Sequence, residues 1–432
     1  MQFIYTSLLY LIQPLVWLKL LWRSRKAPDY RKRWFERYGF CRGKVTPNGI
    51  LIHSVSMGET IAAIPLIKQL QNRYPNLPIT VTTMTPTGSQ QVKKSLAQSV
   101  SHVYLPYDLP SALKRFLDTL QPKIVIIMET ELWPNLICAL KKRKIPLIIA
   151  NARLSERSAK DYAKLGKAIN DLMPKITHIA AQNQLDAERF LKLGSPKDQL
   201  TVTGSIKFDI ELSDELRQKV MILKSSWQLQ RPVWIAASTH HGEDEIILAA
   251  HQILLKSYPD LLLILVPRHL ERFITVEKLI TQYHLNYQLR SDNKAPTKQT
   301  QVILGDTMGE LLLLYGLADI AFVGGSMVER GGHNPLEPAL HHLPIIMGEY
   351  YFNFNVICQQ LIAANGLWLT QSNSHDLAEK INKLLANKTL TQTMGENAWQ
   401  VLAQNQGALA RLLTVIDSEL LKLQGKGADN DK

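Results

Sequence analysis

Short β-branched runs alternate with helix-period segments along most of this chain, and few folds accommodate that pattern. In the first half the runs are Ile50 to Val55, Ile79 to Thr83, His102 to Leu105, Ile124 to Met128, Pro146 to Ala150 and Ile176 to Ala181. The second half repeats the scheme with Val233 to Ala237, Leu261 to Val266, Gln301 to Leu304, Ile320 to Val323 and Ile345 to Met347. Strand, turn and helix in repetition predict doubly wound parallel sheets, because parallel neighbours need a crossover and the crossovers bury both faces. At 432 residues the chain is too long for one ordinary core, so two domains of roughly 200 residues each are expected. Glu211 to Gln230 is polar around Leu216, Val220 and Leu223, and Arg231-Pro232 punctuates the next strand. The expected division is therefore an anchor over 1–22, a first domain over 23–212, a second over 213–424 and a disordered tail over 425–432.

Charge is uneven. Of a formal +13, ten Lys or Arg residues lie between Lys19 and Lys44 against only Asp29 and Glu36, which calls for an acidic partner. Met1 to Leu18 carries no charged side chain, and extended through Trp22 as a helix it reaches ~33 Å, enough to span a bilayer. Gln2, Thr6, Ser7, Gln13 and Pro14 weaken a spanning helix, so a helix lying in the interface stays open. The basic residues follow the apolar stretch and no small-residue cleavage site appears, unlike a cleavable signal. The basic flank puts the remainder on the cytoplasmic side. Aromatics interleaved with charge from Arg31 to Tyr38 suit anionic lipid headgroups, and the apolar anchor makes nucleic acid the lesser partner. Cys41, Cys138 and Cys358 form no disulfide or zinc framework, which fits a reducing compartment.

In a doubly wound sheet ligands bind beyond the carboxyl ends of the strands. The turn from Val323 to Ala339 closes one strand with glycines at 324, 325, 331 and 332 and opens a helix at Asn334-Pro335-Leu336-Glu337. Asn334 is placed to cap, Pro335 to start and Glu337 to close a capping box. Such amides attract an anion, typically a nucleotide phosphate, although a well-capped surface helix has the same spelling. Glu59 follows the first strand at a helix N-terminus, where a carboxylate either complements the dipole or takes a proton from an attacking hydroxyl. Glu129 and Glu131 end the fourth strand, and Lys207 closes the first domain as a point charge for a phosphate or carboxylate. Pro267-Arg268 offers a guanidinium fork for a phosphate, and backbone around Met308-Gly309-Glu310 can read a base edge. No Gly-x-Gly-x-x-Gly follows the first strand and no P-loop is present, so dinucleotide redox and P-loop hydrolysis lose support. The His pairs at 240/241 and 341/342 lack zinc spacing. Asp-x-Asp occurs only at Asp429 and Asp431, so a transferase here is expected to stabilise its leaving group with helix N-termini and Arg or Lys, without metal or other cofactor.

The motifs HSVSMGET (53–60), TMTPTGS (83–89), METELWPN (128–135), ANARLS (150–155), GSIKFD (204–209), PRHLERF (267–273) and GGHNPLEPA (331–339) together resemble the membrane-associated 3-deoxy-D-manno-octulosonic acid (Kdo) transferases of Gram-negative bacteria. Met57, Ser205 and Leu270 stand at positions where that family varies. The resemblance covers nearly the whole chain and implies a GT-B fold, two facing Rossmann-like domains with a deep cleft. It implies inverting transfer of Kdo from CMP-Kdo to a lipid A precursor at the inner membrane, with Glu59 as general base and Lys207 and an acid of the Glu129/Glu131 pair supporting the transition state. CMP is then expected on Pro267, Arg268, Met308 to Glu310, and Asn334 to Glu337. The alternatives are a GT-B transferase or epimerase using a UDP-sugar, and a non-catalytic membrane-docked nucleotide-sugar binder.

Overall fold

The computed structural model describes residues 2–25 and 28–428. The chain divides into two compact units, one of 1–209 with 406–432 and one of 210–405. In the first, seven parallel strands are ordered β3-β2-β1-β4-β5-β6-β7. They are β1 (Ile50–His53), β2 (Ile79–Thr83), β3 (Ser101–Tyr104), β4 (Ile124–Met128), β5 (Leu147–Ala152), β6 (His178–Ala181) and β7 (Leu200–Val202). The second holds β8 (Val233–Thr239), β9 (Leu262–Pro267), β10 (Tyr287–Leu289), β11 (Val302–Leu304), β12 (Ile320–Val323), β13 (Ile345–Met347) and β14 (Leu367–Leu369). Their order is β10-β11-β9-β8-β12-β13-β14, again all parallel.

Alternation along each central strand feeds two cores. On β4, Val125 and Ile127 enter one apolar cluster while Ile124, Ile126 and Met128 enter the other. On β8, Trp234 and Ala236 face one side and Val233, Ile235 and Ala237 the other. Period-2 geometry thus turns an unbroken apolar run into two buried faces. The chain order reverses at β1/β4 in the first sheet and at β8/β12 in the second, and ligands of such sheets bind at those points.

The expected second domain of 213–424 needs correction: the unit begins at Ile210 and ends at Asn405, and the chain then returns to the first unit. The last helix, Ala408–Ala428, sends Ala408, Leu412, Leu413, Ile416 and Leu420 into the first unit's core. Those spacings make one helical face, and each large side chain buried there contributes about 1.5–3 kcal/mol. Asp209 secures the helix start by accepting the amides of Gly407, at 2.5 Å, and Leu409, and Arg411 Nε donates to the Thr203 carbonyl at 2.7 Å. The expected disordered tail is likewise corrected at its start, because this helix continues to Ala428; 429–432 lie outside the described residues.

The apolar N-terminus is two helices, Gln2–Leu11 and Gln13–Arg23, bent by 48° at a break next to Pro14. Among the described residues no single helix is long and apolar enough to cross a membrane, although this bent pair passes on length and composition together. The polar residues face the first unit: Tyr5 donates to Asp108 at 3.0 Å, Thr6 to Asn135 at 3.1 Å, and Tyr38 to Gln13 at 3.0 Å. Phe3, Ile4, Leu8, Leu11, Leu15, Leu18, Leu21 and Trp22 remain exposed. Part of the basic cluster that follows is structural. Buried Glu36 takes Arg33 and Lys44, and Arg37 is itself buried with a bond to the Met84 carbonyl.

Candidate active site

In the first unit the helix Met57–Arg73 starts directly after β1, with Ser56 as its N-cap. Glu59 folds back into that cap, taking the Val55 amide at 2.7 Å and the Ser56 hydroxyl at 2.9 Å. Burial pushes its carboxyl above the usual range, and the charges of Glu129 and Glu131 push the same way while the two hydrogen bonds pull back. One carboxylate thus completes a cap and sits among other acids. Glu131 is also raised, first by burial and then by Glu129, with Trp133 Nε1 donating to it at 2.9 Å. Glu129 reaches Lys207 Nζ at 3.3 Å. The four residues singled out in this half of the sequence are thus brought together at the β1/β4 switch point.

Two backbone strains hold the arrangement. Glu129 has φ 57° and Asn151 φ 53°, a left-handed conformation costing roughly 1–2 kcal/mol for a residue with a side chain, and such outliers gather at functional sites. At Asn151 the β5/β6 register shifts, and Asn151 Oδ1 accepts the Ile206 amide at 3.1 Å. That bond fixes the residue before Lys207. Asn151 lies within the ANARLS motif, and its chemistry is visible only once β5 and the 206–208 turn are adjacent.

In the second unit the glycine turn differs from its expected form. Buried Glu243, in the loop after β8, accepts the amides of Gly325 at 2.7 Å, Ser326 at 3.0 Å, Met327 at 2.9 Å and His240 at 2.8 Å. The anion cradle read from the glycines is therefore filled by the chain's own carboxylate. Four N–H donors favour the charged form against burial, which pushes the Glu243 carboxyl up. A side chain at Gly324 is excluded because its Cβ would stand 2.7 Å from the Ser238 carbonyl oxygen.

The other end of the turn carries Asn334 to Glu337. Asn334 Oδ1 accepts the Leu336 amide at 3.1 Å and its Nδ2 reaches Glu337 at 3.4 Å, while the helix Leu336–Ala339 is a single turn that begins after Pro335. Glu337 is raised by burial and drawn back by Asn334 and by the positive charge of Arg268, which follows Pro267 at the end of β9. Asn334 to Glu337 and Arg268 thus form one neighbourhood. Met308 and Gly309 are exposed, whereas the Glu310 carboxylate is held by Arg290 at 3.0 Å and Thr307 at 2.5 Å. That leaves backbone and the exposed Met308 side chain as what the 308–310 segment presents. His240 and His333, absent from the sequence reading as a pair, join through Nε2 atoms 2.9 Å apart. Among the described residues no group of three or more His, Cys, Asp or Glu side chains is arranged as metal ligands.

Two Rossmann-like units, each with an all-parallel sheet and with polar and charged groups at its switch point, define the GT-B fold. Solved structures of that fold include UDP-GlcNAc 2-epimerase from Neisseria meningitidis, 17% identical with TM-score 0.56 over 87% of this chain and 100% of that one. HepE from Anabaena is 14% identical with TM-score 0.54, covering 86% and 99%; at these identities the likeness shows the fold alone. Residues 32–210 match the family described as 3-Deoxy-D-manno-octulosonic-acid transferase (kdotransferase), and residues 231–401 match Glycosyl transferases group 1. The 3-deoxy-D-manno-octulosonic acid transferase of Haemophilus influenzae is 49% identical over 96% of this chain and 98% of its own. That of Bordetella pertussis is 33% identical over 96% and 99%. The chain belongs to the 3-deoxy-D-manno-octulosonic acid transferase family.

Proposed function

We propose that this protein transfers Kdo from CMP-Kdo to a sugar hydroxyl of a lipid A precursor, with inversion. The convergence of Glu59, Glu129, Glu131 and Lys207 in the first unit carries the reading, together with membership of the family. Glu59 takes the proton of the attacking hydroxyl; burial and neighbouring acids raise its carboxyl above the ordinary glutamate value, which makes it the stronger proton acceptor. Lys207, held against Glu129, and one acid of the Glu129/Glu131 pair offset charge as the acidic sugar changes hands. The second unit supplies the nucleotide contacts: Arg268 with Pro267, the backbone of Met308 to Glu310, and Asn334 to Glu337. The exposed apolar faces of the two N-terminal helices, backed by polar residues bonded to the first unit, support seating along an anionic bilayer surface at the cytoplasmic side of the inner membrane.

The direct test incubates purified protein with lipid A precursor and CMP-Kdo and weighs the product, which also counts the residues added. Glu59→Gln is expected to keep CMP binding while transfer falls ~100-fold or more. Near-normal transfer by that variant removes Glu59 as base, and no mass gain by the wild type removes the assignment.

A further inference from the structure

The His240–His333 pair sits where the carboxyl ends of β8 and β12 adjoin, and none of the roles assigned above uses it. The ring planes lie 3° from parallel with Nε2 facing Nε2 at 2.9 Å. One nitrogen must donate and the other accept, so this edge shares a single hydrogen. Gly325 makes room for the rings: a Cβ there would stand 3.0 Å from His333 Cδ2 and 3.4 Å from His240 Cδ2. His269 packs edge-on to His240, its centroid 5.3 Å away.

The charged groups around the pair are mostly positive. Arg268 approaches from the end of β9, Arg272 from the turn behind it, and Arg330 from the glycine loop. Two acids lie near. Glu243 takes the His240 amide but spends both oxygens on four backbone donors, and Glu337 interacts with Arg268. Asp244 is paired with Arg272. Burial first, then the surrounding positive groups, hold His240 down at about 4 and His333 at about 3. The neighbourhood therefore attracts an anion while the imidazoles stand neutral, one proton short of what a phosphate dianion beside them would favour.

We propose that the His240–His333 pair is the acid that serves the nucleotide phosphate, taking up one proton when a phosphate settles beside Arg268. This rests on the CMP-sugar donor reading above. In the transfer, the acceptor oxygen bonds to the anomeric carbon and its proton passes to Glu59. The electron pair of the broken carbon–oxygen bond stays on the phosphate, which changes from a singly charged diester to a doubly charged monoester. The proton on the imidazole pair faces that second charge and neutralises it through an N–H hydrogen bond, leaving with the product or returning to solvent.

The test is calorimetric titration of the full chain with CMP at about pH 8, where the phosphate, with a second pKa of about 6, is already dianionic, in two buffers of different ionisation enthalpy. The wild type is expected to take up close to one proton on binding. His333→Gln and His240→Gln are expected to take up none, to bind CMP about tenfold more weakly, and to transfer ~100-fold more slowly. Nitrogen-15 resonances of the wild-type imidazoles, with and without CMP, carry the same decision without a substitution. Binding of CMP with no proton uptake, uptake unchanged in both variants, or no imidazole moving to the doubly protonated position overturns the inference alone. Failure of the wild type to bind CMP overturns the donor reading and this inference with it.

Discussion

Replacing Glu243 by Gln isolates the carboxylate that fills the glycine turn. Each oxygen of Glu243 accepts two amides: Ser326 and Met327 on one, His240 and Gly325 on the other, at 2.7 to 3.0 Å. Whichever end the Gln nitrogen occupies, it confronts two N–H groups that it cannot accept. Each buried donor left without a partner costs about 1–3 kcal/mol, so the second unit is expected to lose about 2–6 kcal/mol. Urea unfolding of the full chain reads this loss, since buried Trp234 on β8 reports on the sheet in question. Glu243→Ala goes further and leaves four amides converging on an emptied cradle. Sulfate should then restore stability, by about 2.7 kcal/mol at a hundredfold excess over its dissociation constant, and should do so far less for the wild type. An unchanged urea midpoint for Glu243→Gln, or equal sulfate sensitivity of Glu243→Ala and wild type, would refute the reasoning that this carboxylate holds the turn.

Three other outcomes are expected. His53 and His251 are fully buried and held down to about 4 by desolvation. Their stabilising contribution is complete above the unfolded value near 6.5 and is lost as pH falls toward 4, so the urea midpoint should drop across that window; a flat profile from neutral pH to 4 contradicts this. Asn151→Gly keeps the φ of 53° but deletes the acceptor of the Ile206 amide. Transfer should fall about tenfold, with Asn151→Asp recovering most of it, whereas wild-type activity in the Gly variant removes Asn151 as the residue that positions Lys207. Gly395→Ala would place a Cβ 1.9 Å from the His342 carbonyl oxygen and should cost about 1–3 kcal/mol in the second unit's urea transition, an overpacking penalty that an unchanged midpoint would exclude.

Most of the fold was legible because burial on both faces writes itself as unbroken β-branched runs. Eleven strands were readable that way. Leu200–Val202, Tyr287–Leu289 and Leu367–Leu369 were not, since three residues at a sheet edge show no periodicity. The domain boundary failed in a specific way. Ala408–Ala428 has an apolar face, but a face does not say which sheet it covers, and the Asp209 cap that settles the matter lies some 200 positions away.

The site divided along the same line. Glu59, Glu129, Glu131, Lys207 and Arg268 could be picked out because topology alone sends the residues after parallel strands to one end of the sheet. The GGHNPLEPA run likewise marked the turn that carries Asn334 and Glu337. What the linear order left open is who pairs with whom. Glu243 in the glycine cradle, Asn151 under the Ile206 amide and the His240–His333 contact each join segments whose proximity is created by strand order, across 82, 55 and 93 positions. Sequence patterning determined the layers, the carboxyl ends of the strands and the candidate charges there, since these follow from local periodicity and chain direction. Only tertiary structure decided which of those charges are consumed by partners within the chain, because a hydrogen bond needs its partners within about 3 Å and no local rule sets that distance.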